Sequence, residues 1–185
     1  MILLVFALLG LVVALIRGGD IAQLARVPFR FGWLALLAVA LQIAVFSGWW
    51  SRSHLADWTP LVYAASMFVL IVMVAANWRL PGLPLVGLGL LCNALAISLN
   101  EGRMPASLDA LRAAGLQSVA LKAGVLGTST NTVLLGPDTR VPFLCDVFAL
   151  PPWFPLATVF SVGDVFIAAG AAWFFLAIVR PKPRS

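Results

Sequence analysis

Leu144–Gly170 reads LCDVFALPPWFPLATVFSVGDVFIAAG. It opens at Asp146 in a polar loop, passes a collar of prolines and aromatics, and enters an apolar run. One acid, Asp164, stands about one turn inside that run. A carboxylate in an apolar segment is costly, so its position marks a place that chemistry or architecture requires. What surrounds the stretch decides the fold class. Of 185 residues, 62% are apolar and 10% charged, and mean hydropathy is +1.04. A soluble domain of this size carries roughly 25% charged residues to cover its surface. The composition therefore predicts an all-α integral membrane protein.

The net charge of +5 and pI of about 10.3 would point to nucleic acid in a soluble chain. Here the basic residues flank hydrophobic runs, where the positive-inside rule accounts for them, and no nucleic-acid partner is expected. Cys92 lies within an apolar run and Cys145 in a loop, so they make no disulfide framework. The single histidine, His54, and the absence of a Cys or His pair at ligand spacing leave no metal site. No dinucleotide or phosphate loop is present, since Gly87-Leu-Gly89 lies inside an apolar run as a helix-packing feature. No cofactor is expected.

Outward from the opening stretch, the apolar runs predict five transmembrane helices, at about 1–16, 31–50, 60–77, 83–99 and 159–179, in one membrane domain. The first is short for a span, yet lacks a basic flank and cleavage site, and reads as a retained helix rather than a signal peptide. The pair Trp49-Trp50 and Trp78-Arg79 sit where headgroups would meet the helix ends. Residues 100–158 form the one long polar segment, an outward-facing cap between helices four and five. Within it, Ser107 to Gly115 reads as a short helix with a Ser N-cap and a Gly stop, Gly127 to Thr132 as a small-polar loop, and Pro137-Asp138 as a tight turn. Leu108, Leu111 and Ala114 share one face of that helix, which can lie on the bilayer or cover the bundle.

Orientation follows the basic residues. Arg17, Arg26, Arg30, Arg79, Arg180, Lys182 and Arg184 fall in three short segments on one side. Arg52, Arg103, Arg112, Lys122 and Arg140 are spread over two loops on the other. That density predicts a bacterial cytoplasmic membrane protein with its N-terminus outside and C-terminus inside. Asn100, Asp146 and Asp164 would then gather at the outer mouth.

Several side chains there are candidates. Asp164 in the first turn of a helix is favoured by free N–H groups and the helix dipole; pairing with Arg103 or Arg140, a binding role and catalysis are the alternatives. Asn93 and Asn100 are seven apart and share a helical face. Asn93, deep in the run, reads first as interhelical hydrogen-bonding glue and second as a ligand contact. Glu101 and Arg103 read as an exposed ion pair. Asp164 with Asp146 or Asp138 could share a proton, the arrangement an aspartic hydrolase needs.

Two resemblances attach to these motifs. Asn93–Pro105 (NALAISLNEGRMP), Asp138–Asp146 (DTRVPFLCD) and Ser161–Gly170 (SVGDVFIAAG) resemble an uncharacterised bacterial membrane family, a domain of unknown function with about five spans and an Asn…Gly-x-Met-Pro exit. More loosely, Phe143–Asp146 (FLCD) followed by Val159–Ile167 (VFSVGDVFI) is similar to the end of lipoprotein signal peptidase, a membrane aspartic peptidase. That likeness implies a catalytic role for Asp164 on the outer side. Carrying the family's Gly-Asn-x-x-Asp-Arg motif onto Asn93 puts Ala96 where its other aspartate stands, and aligning on Asp138-Thr-Arg140 restores an acid only within the loop. Ser161 replaces the family's asparagine.

The leading expectation is a non-enzymatic protein that binds an amphipathic, lipid-like ligand or a membrane partner subunit at its outer mouth. Asn93, Asn100, Arg103 and Arg140 are its candidate binding residues. The alternatives are a divergent intramembrane aspartic peptidase using Asp164 with Asp146 or Asp138, and a structural subunit of a membrane complex.

Overall fold

A computed structural model describes residues 2–116, 118–119, 132–154 and 157–181. Most of Gly127–Thr132, together with Lys122, Lys182 and Arg184, lies outside the described residues. Five apolar helices carry the fold: α1 (Ile2–Ile16), α2 (Trp33–Val45), α3 (Thr59–Ala76), α4 (Leu83–Leu99) and α6 (Val162–Ile178), with the short α5 (Leu108–Ala113) in the cap. One of them is long and apolar enough to cross a membrane, α3 with its 3₁₀ lead-in, Ala56–Ala76, 21 residues. The other four are shorter, so the expectation of five full-length spans is not met on length.

Local chemistry explains the shortening. Helix two was expected to run from 31 to 50. Phe31 instead adopts φ +55°, which no α-helix continues through. At the far end the Ser47 hydroxyl donates to the Ala44 carbonyl and accepts from the Trp50 N–H, which turns the chain into a 3₁₀ segment, Trp50–Arg52. Helix five was expected from 159, but Val159 lies in a strand and Ser161 is the N-cap. Leu83–Leu99 runs as expected, with Gly82 at φ +80° before it and a proline in its first turn.

The helices pack mainly in the order α1–α6–α4–α3–α2, with α4 against α6 and α1 against α6 as the most extensive contacts. The antiparallel α4–α6 crossing is made by glycines two turns apart on each side. Gly82 lies against Gly170, and Gly89 against Gly163. A methyl group on Gly89 would fall on the Gly163 carbonyl oxygen, and one on Gly170 would sit 2.6 Å from the Gly82 oxygen. Small residues let two helix backbones approach this closely. Gly10 does the same for α1, where an added Cβ would lie 2.6 Å from the Ala172 Cα. Between α2 and α3 the contact is polar: Gln42 Nε2 donates to the fully buried Ser66 Oγ at 3.1 Å, and Ser66 donates to the Tyr63 carbonyl at 2.7 Å.

The largest apolar core joins Met67 and Val74 of α3, Leu90 and Ile97 of α4 and Phe174 of α6 to Met104 and Cys145 of the cap. The outer faces are also apolar: Ile16, Leu36, Ile43 and Phe68 are 79, 74, 69 and 66% exposed.

The cap, expected as a short helix with loops and turns in an all-α protein, also contains strands. Among the described residues, four three-residue strands make two sheets: β1 (Met104–Ala106) parallel to β2 (Thr132–Leu134), and β3 (Phe148–Leu150) antiparallel to β4 (Thr158–Phe160). Phe148 stacks on Phe160 across the second sheet with centroids 5.4 Å apart, and these aromatic and β-branched residues suit a pleat better than a helix. The short helix forms as its sequence predicts, capped by Ser107 and stopped at Gly115, φ +72°. Gly136 to Thr139 closes the expected turn through a 3.1 Å backbone bond.

Gly89→Ala should gain helix propensity yet lose stability by about 1–3 kcal/mol, because the methyl group wedges α4 from α6. Gly136→Ala, with nothing near its Cβ, should be close to neutral. Thermal unfolding in detergent measures both.

Candidate functional site

The site grows from the start of α6. Ser161 is extended (φ −104°, ψ 170°), and its hydroxyl accepts from the Asp164 N–H at 3.1 Å. Asp164 Oδ2 accepts in return from the Ser161 N–H at 3.1 Å, closing a capping box. From α4, Asn93 completes the node. Its Nδ2 donates to Asp164 Oδ1 at 2.9 Å, and its Oδ1 accepts from the fully buried Ser161 hydroxyl at 2.8 Å. Gly163 carries no side chain because Asn93 Oδ1 occupies the place of its Cβ.

Asp164 is therefore held by backbone and amide donors, and among the described residues it pairs with neither Arg103 nor Arg140. The sequence reading of Asn93 as interhelical glue and of Asp164 as a first-turn acid describes this geometry. Ser161 is the partner that reading missed. A serine three residues before an acid at the head of an apolar run was the available signal.

Asp146 is brought to the same place from the cap. Its N–H donates to the Pro105 carbonyl at 3.0 Å and its carbonyl accepts from the Ser107 N–H at 2.9 Å, adding one bridge beside β1. Burial, and then the Asp164 carboxylate, push the Asp146 carboxyl up to about 7. Burial and the Asp146 charge push the Cys145 thiol up to about 11, which favours the protonated thiol at neutral pH. Asp138 stands exposed in the Gly136–Thr139 turn and takes no part in the Asp146 shift. Ala96, where the peptidase-like alignment needs an acid, is fully buried in the apolar core.

Asn100 and Arg140 meet, though not through the guanidinium. Asn100 Oδ1 accepts from the Arg140 N–H at 2.9 Å while its Nδ2 donates to the Arg140 carbonyl at 3.0 Å and the Ala96 carbonyl at 2.7 Å. The side-chain amide imitates a backbone partner and pins the loop to the end of α4. The same clasp recurs twice where no candidate was expected. Asn77 takes the Arg30 N–H at 2.8 Å and donates to its carbonyl at 2.7 Å, and Gln23 takes the Arg180 N–H at 3.2 Å and donates to its carbonyl at 2.9 Å. Amides at the edges of apolar runs were visible, but their partners, 47 and 157 residues away, were not.

Arg103 is half-buried and lines two clefts at the cap end. One, about 540 Å³, is walled by Val45, Phe46, Asp57, Thr59 and Gly102. The other, about 610 Å³, is bordered by Asn100, Glu101, Asp138 and Arg140. Among the described residues no three Cys, His, Asp or Glu side chains converge to hold a metal ion.

A family model described as a family of unknown function (DUF5317) matches residues 26–176. The chain belongs to that family. The DUF5317 region takes in α2 to α5, the cap, the Asn93–Ser161–Asp164 node and both cap-end clefts, while α1 and the Gln23–Arg180 clasp lie beyond it. No curated protein and no solved structure matches the chain.

Two outcomes follow from the node. Ser161→Ala removes a cap and strands the Asn93 carbonyl, and should cost about 1–3 kcal/mol in detergent unfolding. Asp146 binds its proton more tightly folded than unfolded, so its contribution is complete below its ordinary value of 3.8, falls as pH rises from there to about 7, and is flat above. Asp146→Asn should abolish that slope in a pH series of melting temperatures.

Proposed function

We propose that the protein is an integral membrane protein of the bacterial cytoplasmic membrane, five helices across the bilayer with the N-terminus outside, that binds an amphipathic ligand under its cap. The exposed apolar side chains around every long helix support the embedding, since water would not tolerate them in such number. A 17-residue helix such as α4 or α6 extends about 25 Å, which a slightly thinned bilayer accommodates. Trp49, Trp58 and Trp78 are exposed at helix ends, where indoles suit the headgroup layer.

The observation that carries the ligand reading is Arg103 standing between two clefts at the cap end. The 540 Å³ cleft offers Asp57 and Arg103 for a polar head and the end of α2, Val45 and Phe46, for an apolar tail. Its wall is mixed, with Ser47, Ser51 and Thr59 also beside the apolar residues, which suits a ligand that has both a polar and an apolar part. The Asn100 clasp holds the loop beside the second cleft, which Asn100 and Arg140 border, and the Asn93–Ser161–Asp164 node is architecture.

Native mass spectrometry of the gently solubilised protein should find a bound amphiphile. Arg103→Ala should weaken its retention about tenfold or more, the loss of one charged hydrogen bond, while Asp109→Ala on the exposed face of α5 should not. A wild-type protein empty under all detergents, or equal retention by both variants, would refute the reading.

A further inference from the structure

A second cleft lies at the opposite end of the bundle, where α3 ends. It measures about 730 Å³ and is lined by Pro28, Phe29, Arg30, Asn77, Trp78 and Arg79 among others, with no acidic residue in its wall. Among the described residues neither arginine is paired with a carboxylate. Arg79 instead lies over the Trp78 ring, its guanidinium carbon 5.6 Å from the centroid.

Nor are the arginines consumed in closing the helix. Three of the last four carbonyls of α3 are already bonded elsewhere: Met73 by Asn77 Nδ2 at 2.8 Å, Val74 by the Asn77 N–H at 3.0 Å, and Ala75 by the Trp78 N–H at 3.4 Å. The frame is rigid. Asn77, 5% exposed, clasps the Arg30 backbone through both amide atoms, and the Phe29 ring leans on Phe174 at 5.6 Å. Two guanidiniums that, among the described residues, lack a carboxylate partner thus share one cleft wall beside an indole, on a backbone that the Asn77 clasp holds in place.

We infer that the Arg30–Arg79 cleft binds a phosphate-bearing anion. Guanidinium forks match phosphate oxygens bidentately, and a basic pocket between helix ends suits a lipid phosphate group. The same chemistry would take free phosphate. The lipid source rests on the membrane embedding proposed above and the free-phosphate source does not; neither involves Arg103 or the cap.

Wild-type protein in nanodiscs of phosphatidylcholine with a minor share of phosphatidylglycerol should retain the anionic lipid after extraction into detergent, read by native mass spectrometry. Arg30→Gln with Arg79→Gln should lower that retention about thirtyfold. Arg17→Gln, a basic residue of the same end outside the cleft, should leave it unchanged. Melting of the lipid-free protein with inorganic phosphate separates the sources: a shift seen in wild type and absent from the double Gln variant assigns the site to free phosphate, and no shift alongside lipid retention assigns it to lipid. Circular dichroism checks folding. If the Gln pair does not fold, Arg30→Lys with Arg79→Lys keeps the charge but not the fork and should weaken binding several-fold. Equal losses in the Arg17→Gln and cleft variants, binding unchanged by either substitution pair, or no response to either probe in wild type would overturn the inference.

Discussion

The bundle depends on one close approach, that of α4 to α6. Gly89 and Gly163 bring the two backbones into contact, and Asn93 fills the space a side chain on Gly163 would need. Once there, its amide is held by the Ser161 hydroxyl and the Asp164 carboxylate. In the embedding proposed above, apolar burial gives helices little reason to associate, so steric fit and matched polar atoms must supply it. The packing and the hydrogen bonds are one constraint: a bulkier residue at Gly163 would push the amide away, and an apolar residue at Asn93 would strand the Ser161 hydroxyl. The same node fixes where α6 begins, and so the height at which β4 and the cap leave the bundle.

From that crossing the structure spreads outward through short-range devices. α1 docks on α6 through Gly10, α3 on α4 through the apolar core, and α2 on α3 through Gln42 and Ser66. At the ends of the helices Asn77, Asn100 and Gln23 each hold the N–H and carbonyl of one distant residue. Asp146 ties the cap to the bundle at a different level, its backbone bonded beside β1 and its carboxyl raised in part by the Asp164 charge. Of the acids that suggested catalysis, Asp164 is bound into the helix crossing and Asp146 joins the cap through its backbone, while the clefts at either end lie beside arginines.

How much of this could be read beforehand depended on range. Leu83–Leu99 was legible to the residue because Gly82 and Pro84 begin it and Asn100 ends it, all local signals. The capped helix from Ser107 to Gly115 was legible for the same reason. The start of α6 was not, since hydropathy continues unbroken through Val159 and Phe160 although these pair as a strand. The early end of α2 was hidden likewise, because Ser47 and Gly48 interrupt a run that tryptophans prolong. In the site, the types and local roles of Asn93 and Asp164 were readable; their meeting across 71 residues was not, and the sequence offered Asp146 and Asp138 alike as neighbours of Asp164 without choosing between them. Periodicity describes a helix against its own axis and carries no information on which helix lies beside it.

The amide clasps have a consequence for how such a surface can change. Arg30, Arg140 and Arg180 are gripped by peptide atoms that every residue but proline possesses, so the grip is indifferent to what projects from them. The scaffold and the chemistry displayed on its rims are therefore separable: rim side chains can drift, one substitution at a time, while the amides that seat them stay put.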